Sequence, residues 1–184
     1  MSTVLIVVEH FSSESANIAA AVKARGETIV VAERDSELPA GESRRREQEG
    51  VPVVSIGGEL AELAVALEGL VRDEHVTVVH VVHAGPAGWA GSVAARSAGV
   101  ANVVSLSGED LASGLFRVPE AAFIPEMVRG ATVATASSED VAGKASRLFQ
   151  RPVEPVVSGS DSEGALYVAL YCRARSEPFT RRRL

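Results

Sequence analysis

The chain has 184 residues, one domain on a prior of roughly 150 residues per domain, which excludes a large modular enzyme. Apolar residues make up 46% and charged residues 23%, ordinary globular usage that excludes a disordered tail or a fibre. A net charge of −6, one cysteine (Cys172), no apolar run near the roughly 18 residues of a membrane span and no basic leader predict a cytoplasmic protein. They also predict no membrane or nucleic-acid partner, no disulfide framework and no metal site rich in cysteine.

Residues 4–8 form a continuous β-branched run, the pattern of a strand buried on both faces of a parallel sheet. Ser12 and Ser13 can cap the helix that follows, Glu14 suits its first turn, and Ile18, Ala19 and Val22 give its apolar stripe up to Gly26. Residues 28–32 read as a second strand. Residues 33–50 are strongly polar and predict a solvated loop or a short surface helix. A short strand at 51–55 precedes a helix carrying Leu60, Leu63, Ala64, Leu67, Leu70 and Val71, and another buried strand covers 76–82. A glycine-rich loop over 84–91 leads into a short helix ending near Gly99, followed by a strand at 102–106. Residues 119–130 predict a helix that Pro125 must enter in its first turn or break. A strand at 131–136, a helix with Val141, Ala145 and Leu148 on one face, and a strand at 153–157 complete the alternation. The fold class is α/β, an open, mostly parallel sheet with helices on both faces. Residues 1–172 read as one domain and 173–184 as a basic, solvated tail carrying Arg173, Arg175, Arg181, Arg182 and Arg183.

The order of several short pieces resembles the N-terminal domain of the NAD(P)-dependent glycerol-3-phosphate dehydrogenase family. The pieces are the strand-turn-helix at 4–26, Arg34-Asp35 after the second strand, and residues 63–69. Further on come Phe123, Glu126, Arg129 and Gly130, then residues 136–140 and 164–166. The resemblance implies a Rossmann-like fold. It also implies a glycine-rich phosphate turn, G-x-G-x-x-G, which here falls on His10, Ser12 and Ser15, so its three glycines are absent along with the close backbone approach they give a pyrophosphate. The family's two catalytic lysines fall near Ser107 and on Tyr167, and most of its helical substrate domain is missing. Hydride transfer is therefore not expected. The cofactor expectation is none, with NAD or NADP as the alternative.

In such a sheet ligands bind outside the carboxyl ends of the strands. His10 and His83 lie at two such ends, and adjacent placement of their strands brings them to one rim beside Glu9, a set suited to acid-base work near neutral pH. Ser12, Ser13 and Ser15 stand at a helix N-terminus, where they cap the helix or help hold an anion. Arg34 and Asp35 either grip a ribose or 2′-phosphate or are exposed strand-end charges. Trp89 stacks on a flat ligand or anchors its loop. His80 is expected to be a hydrogen-bonded core residue, and Ser92, Ser105 and Ser107 lack the context of a serine nucleophile. Cys172 is expected to be buried. The apolar residues 165–172 need cover, which a symmetric homodimer would supply. The leading expectation is a non-redox enzyme or a protein binding a small anionic molecule. The alternatives are an NAD(P)-binding oxidoreductase with an atypical turn and a pseudoenzyme partner protein.

Overall fold

The computed structural model describes residues 2–118, 120–156 and 163–177. Among the described residues eight strands form one sheet: β1 (Thr3–Val8), β2 (Thr28–Arg34), β3 (Ser43–Gln48), β4 (Val51–Ile56), β5 (Val76–Val82), β6 (Ala101–Leu106), β7 (Val133–Ala136) and β8 (Glu154–Pro155). Their spatial order is β3-β4-β2-β1-β5-β6-β7-β8. Every pairing is parallel except β3 with β4. Among the described residues the α-helices are α1 (Ser13–Lys23), α2 (Leu60–Asp73), α3 (Pro86–Ala98), α4 (Gly108–Ala112), α5 (Glu120–Gly130) and α6 (Glu139–Phe149), which lie between strands, and α7 (Glu163–Ser176), which follows the last strand. The expected open, mostly parallel α/β sheet is therefore present, with helices on both faces.

The alternation of side chains along each strand divides the core in two. Leu5, Val7, Val79, Val81, Val104 and Leu106 face α2, α3, α5 and α6. Val4, Ile6, Val8, Val78, Val82 and Val103 face α1 and α7. No helix among the described residues is long and apolar enough to cross a membrane.

Several elements differ from the sequence reading. The polar stretch at 33–50 contains β3, paired antiparallel with β4 through a two-residue turn in which Glu49 (φ 53°) and Gly50 (φ 72°) are both left-handed, the geometry of a tight hairpin. This edge strand exposes Arg44, Arg45 and Glu47, charges that discourage pairing with another chain. The glycines at 88 and 91 are helical, not loop. A Cβ at Gly88 would lie 2.6 Å from Val81 and 2.7 Å from the His83 carbonyl, and one at Gly91 would lie 3.0 Å from Val7, so their smallness lets α3 settle onto the sheet. Pro125 sits inside α5, which continues through it.

The chain itself covers one side of the 165–172 segment. It lies in α7, and its Tyr167, Leu170 and Tyr171 are buried against the chain's own sheet, with Gly164 close to the backbone of Ala21 in α1. Of its large apolar side chains Leu166 stays exposed. Cys172, on the outer side of α7, is exposed rather than buried. The helix also runs past residue 172, so Arg173 and Arg175 are helical residues paired with Glu154 and Glu27, not part of a solvated tail. Arg181, Arg182 and Arg183 lie outside the described residues, as does position 157 of the last expected strand.

Candidate functional site

The parallel strands β1, β5, β6 and β7 end along one edge, so the residues that follow them meet there. A small cleft at this edge is lined by Glu14, Val82, His83, Ser105, Leu106, Ser107, Ser137 and Tyr167. His83 is its most unusual member: it leaves β5 with φ +67°, a left-handed conformation that a non-glycine residue keeps only when its surroundings enforce it, at roughly 1–3 kcal/mol. Those surroundings are visible. The His83 amide donates to the Ser105 carbonyl at 3.1 Å, and the next amide, Ala84, donates to Asp110 Oδ1 at 3.2 Å. The ring, 47% exposed, has Nε2 at 2.9 Å from Glu14 Oε2 and Nδ1 at 3.9 Å from Asp110 Oδ2. An imidazole held between two carboxylates beside hydroxyl groups is equipped to exchange protons with a hydroxyl-bearing ligand.

Beneath the cleft the second face of the sheet carries a polar cluster. His80 is wholly buried, with Nδ1 2.7 Å from the Tyr171 hydroxyl and Nε2 2.7 Å from Ser105 Oγ. Ser105 Oγ is also 2.7 Å from Thr135 Oγ1. Burial, with the charge of His83 adding to it, pushes His80 down to about 3, so the ring is neutral. Burial pushes the Tyr167 hydroxyl up to about 12, with the Glu163 and Glu14 charges pushing the same way and the neighbouring Ser105 hydroxyl opposing them. It remains a neutral phenol at neutral pH. His80 is thus the packed, hydrogen-bonded core residue expected of it.

The other expected site residues serve local roles. Glu9 Oε2 accepts from the Ala87 amide at 2.9 Å and so caps α3, while its Oε1 lies 3.7 Å from Arg34. Ser12 Oγ accepts from the Ser15 amide at 3.3 Å and Ser15 Oγ from the Ser12 amide at 2.9 Å, a reciprocal cap of α1. Ser13 and His10 are exposed. Asp35 accepts from the Glu37 amide at 2.9 Å, turning the chain after β2. Trp89 stacks on Phe123 at 5.0 Å between centroids and donates from Nε1 to Glu126 at 3.0 Å, so it joins α3 to α5 and does not face the cleft. Of the expected residues, His83 alone lines the cleft. Glu14, Asp110, Ser137 and Tyr167 were missed as site residues; the only signal for Tyr167 was an aromatic hydroxyl on an otherwise apolar segment.

A remaining question is whether this edge can hold a phosphate at a helix N-terminus. The N-termini of α1 and α3 are capped as above. Asp110 accepts from the Ser107 amide at 2.6 Å, closing α4, and Ser138 Oγ accepts from the Val141 amide at 3.3 Å, closing α6. Among the described residues, no group of three or more His, Cys, Asp or Glu side chains is placed to hold a metal ion.

The model of the Glycosyl transferase 4-like domain family matches residues 13–158. The chain belongs to this family. Its solved structural neighbours include the MnaA–UDP co-structure from S. aureus, with TM-score 0.63 and 15% identity over 88% of this chain and 45% of that one. UDP-GlcNAc 2-epimerase from Neisseria meningitidis, bound to UDP-GlcNAc, aligns with TM-score 0.61 and 16% identity over 92% of this chain and 50% of that one. The corresponding enzyme from Methanocaldococcus jannaschii aligns with TM-score 0.60 and 15% identity over 85% and 45%. At such identities the likeness shows the fold, and this chain spans about half the length of these neighbours. No curated protein matches the chain in sequence. The family match overturns the resemblance to glycerol-3-phosphate dehydrogenase, and with it the expectation of a dehydrogenase-derived, degenerate NAD-binding domain. The pieces that carried that resemblance are features of strand-helix alternation that many open parallel sheets share.

Proposed function

We propose that the chain is one half of a non-redox enzyme or binding protein that handles a sugar nucleotide, and that it presents the carboxyl-edge cleft to the sugar. The observation that carries this reading is His83, held at positive φ with Nε2 on Glu14 at the mouth of a cleft walled by hydroxyls. Among the described residues at positive φ, His83 is the one that lines this cleft, with its ring between the Glu14 and Asp110 carboxylates. His83 takes the role of proton acceptor and donor toward a ligand hydroxyl. Glu14 fixes the ring, and Ser107, Ser137 and Tyr167 offer hydrogen bonds. Support for the ligand class comes from the family and from two neighbours whose structures hold UDP and UDP-GlcNAc. The self-capped helix N-termini favour a sugar-facing role, with the phosphates held outside this chain.

Calorimetric titration of the full chain with UDP-GlcNAc, UDP, free N-acetylglucosamine and NADH tests the reading. The expected result is binding of the sugar nucleotide or the sugar, weakened at least about tenfold in both His83→Ala and Glu14→Gln, as removal of a charge-assisted hydrogen bond demands. Binding of NADH alone, or sugar binding untouched by either substitution, would overturn it.

A further inference from the structure

The corner of the cleft around His83 is rich in hydrogen-bond acceptors. The backbone of His83 is pinned on both sides, by its own amide on the Ser105 carbonyl at 3.1 Å and by the Ala84 amide on Asp110 Oδ1 at 3.2 Å, and its ring stands between α1 and α4. On the α1 side Nε2 lies 2.9 Å from Glu14 Oε2. A carboxylate oxygen accepts and does not donate, so the proton of this bond sits on Nε2, and in the neutral ring Nδ1 is left as a bare acceptor. On the α4 side Nδ1 faces Asp110 Oδ2 across 3.9 Å, beyond hydrogen-bond reach. The Asp110 oxygens are already engaged, Oδ1 with the Ala84 amide, and Oδ2 with the Ser107 amide at 2.6 Å and the Ser107 hydroxyl at 2.9 Å. Among the described residues, therefore, no hydrogen bond reaches Nδ1 of this half-exposed ring.

We propose that Nδ1 is the atom of His83 that meets the ligand and that it accepts a hydrogen bond from a sugar hydroxyl, so that the cleft selects for a hydroxyl that donates and against a carbonyl or phosphate oxygen in the same place. The inference rests on the reading of the cleft as a sugar site and deepens it. His83 becomes a specificity-determining residue, and Glu14 a positioning residue that holds the ring proton on the nitrogen turned away from the ligand. Asp110 adds a second carboxylate beside Nδ1, whose charge favours the positive end of a donor hydroxyl and disfavours a group that brings only lone pairs. A ligand oxygen without a proton at that point sets acceptor against acceptor and leaves Nδ1 without a partner, the kind of mismatch by which hydrogen-bonding sites discriminate most strongly.

Two measurements test the proposal separately. Nitrogen-15 NMR of the four histidines at mildly alkaline pH, where imidazole rings are neutral, with His83 assigned by its loss in His83→Ala, reads the tautomer without any ligand. The expected result is a His83 ring protonated on Nε2, with a preference for that nitrogen that falls in Glu14→Ala, because the remaining carboxylate, Asp110, then lies on the Nδ1 side. A proton on Nδ1, or the same tautomer balance with and without Glu14, overturns the assignment. Calorimetric titration of wild type and His83→Ala then uses UDP-GlcNAc and analogues in which one sugar hydroxyl at a time is replaced by hydrogen or by fluorine, which accepts weakly and cannot donate. The expected result is one position at which both replacements cost the wild type about threefold to tenfold in affinity, that of one neutral hydrogen bond, and cost His83→Ala nothing further. A position rescued by fluorine, or none coupled to His83, overturns donation to Nδ1 while UDP-GlcNAc still binds. A chain that binds no UDP-GlcNAc at all overturns instead the sugar-nucleotide reading on which the selectivity rests.

Discussion

The two faces of the sheet solve the same burial problem by different chemistry. The face under α2, α3, α5 and α6 is lined by aliphatic side chains and alanines. Its polar exceptions, Ser92 and Asn102, make no side-chain hydrogen bond among the described residues. The face under α1 and α7 joins His80, Ser105, Thr135 and Tyr171 by hydrogen bonds, with the Tyr167 ring packed against those of His80 and Tyr171, and Ser105 and Tyr167 line the cleft. Near its other end Glu27 takes both guanidinium Nη atoms of Arg175 at 2.9 Å. The contrast teaches that one face supplies stability while the other, on the proposed reading, also holds atoms in place for a ligand. Polar networks in low dielectric are worth building only when their members find partners, and each of His80, Ser105, Thr135 and Tyr171 has at least one.

Substitutions can break that comparison. The largest effect is expected on the aliphatic face: Leu67→Ala should cost about 3 kcal/mol by urea denaturation through the cavity it leaves, with no change in how stability varies with pH. On the polar face His80→Phe should cost about 2 kcal/mol, because it leaves the Tyr171 and Ser105 hydroxyls without their partner, and it should also change the pH dependence. The wild-type His80 has a folded value of about 3 against an ordinary 6.5. The unfolded chain therefore takes up a proton as pH falls through 6.5 while the folded chain does not. Stability from this residue is full above pH 6.5 and lost downward toward 3, by at most about 1.4 kcal/mol per pH unit. The variant should lack that slope, and a slope equal to wild type would show that His80 is not buried neutral.

A smaller effect is expected at Arg175. Burial raises the Glu27 carboxyl, but hydrogen bonds from Arg175 and Ser2 and the Arg175 charge outweigh it and hold the group below 4.5. Arg175→Ala should cost about 1 kcal/mol at neutral pH. That cost should vanish as pH falls below 4.5 and through the depressed folded value, where wild-type Glu27 is itself protonated. The smallest is Arg173→Ala, which breaks an exposed pair with Glu154 and should stay within about 0.5 kcal/mol. A larger loss there would show that the outer side of α7 is held more firmly than its exposure implies.

The sequence made the fold legible wherever burial wrote a pattern. The β-branched runs of β1, β2, β5 and β7 could be read because parallel strands are covered on both faces. The strand β3 could not, because Ser43–Gln48 is an edge held by backbone pairing with solvent around its side chains, so no hydrophobic alternation marks it. Gly88 and Gly91 read as loop because their use, a close approach to Val81 and Val7, depends on which strands lie below α3. Of the site, the carboxyl edge and His83 were legible from strand ends. Glu14 had a sufficient local explanation as a first-turn acid, and Tyr167 comes to the cleft beside Ser105 only through the tertiary packing of α7 on the sheet. The three absent glycines and two absent lysines were the sequence's own evidence against a dehydrogenase. The order of short shared pieces outweighed it, although alternation alone cannot distinguish one open parallel sheet from another.

The central claim is that the ligand meets the polar network at the carboxyl edge. Backbone amide NMR of the full chain titrated with UDP-GlcNAc tests it most directly. The account predicts perturbations concentrated at Glu14, His83, Ser105, Ser107, Ser137 and Tyr167, with Trp89, Asp35 and the aliphatic face unchanged. Saturable perturbations centred instead on Arg34, Asp35 and Trp89, or on the opposite edge of the sheet, would contradict it.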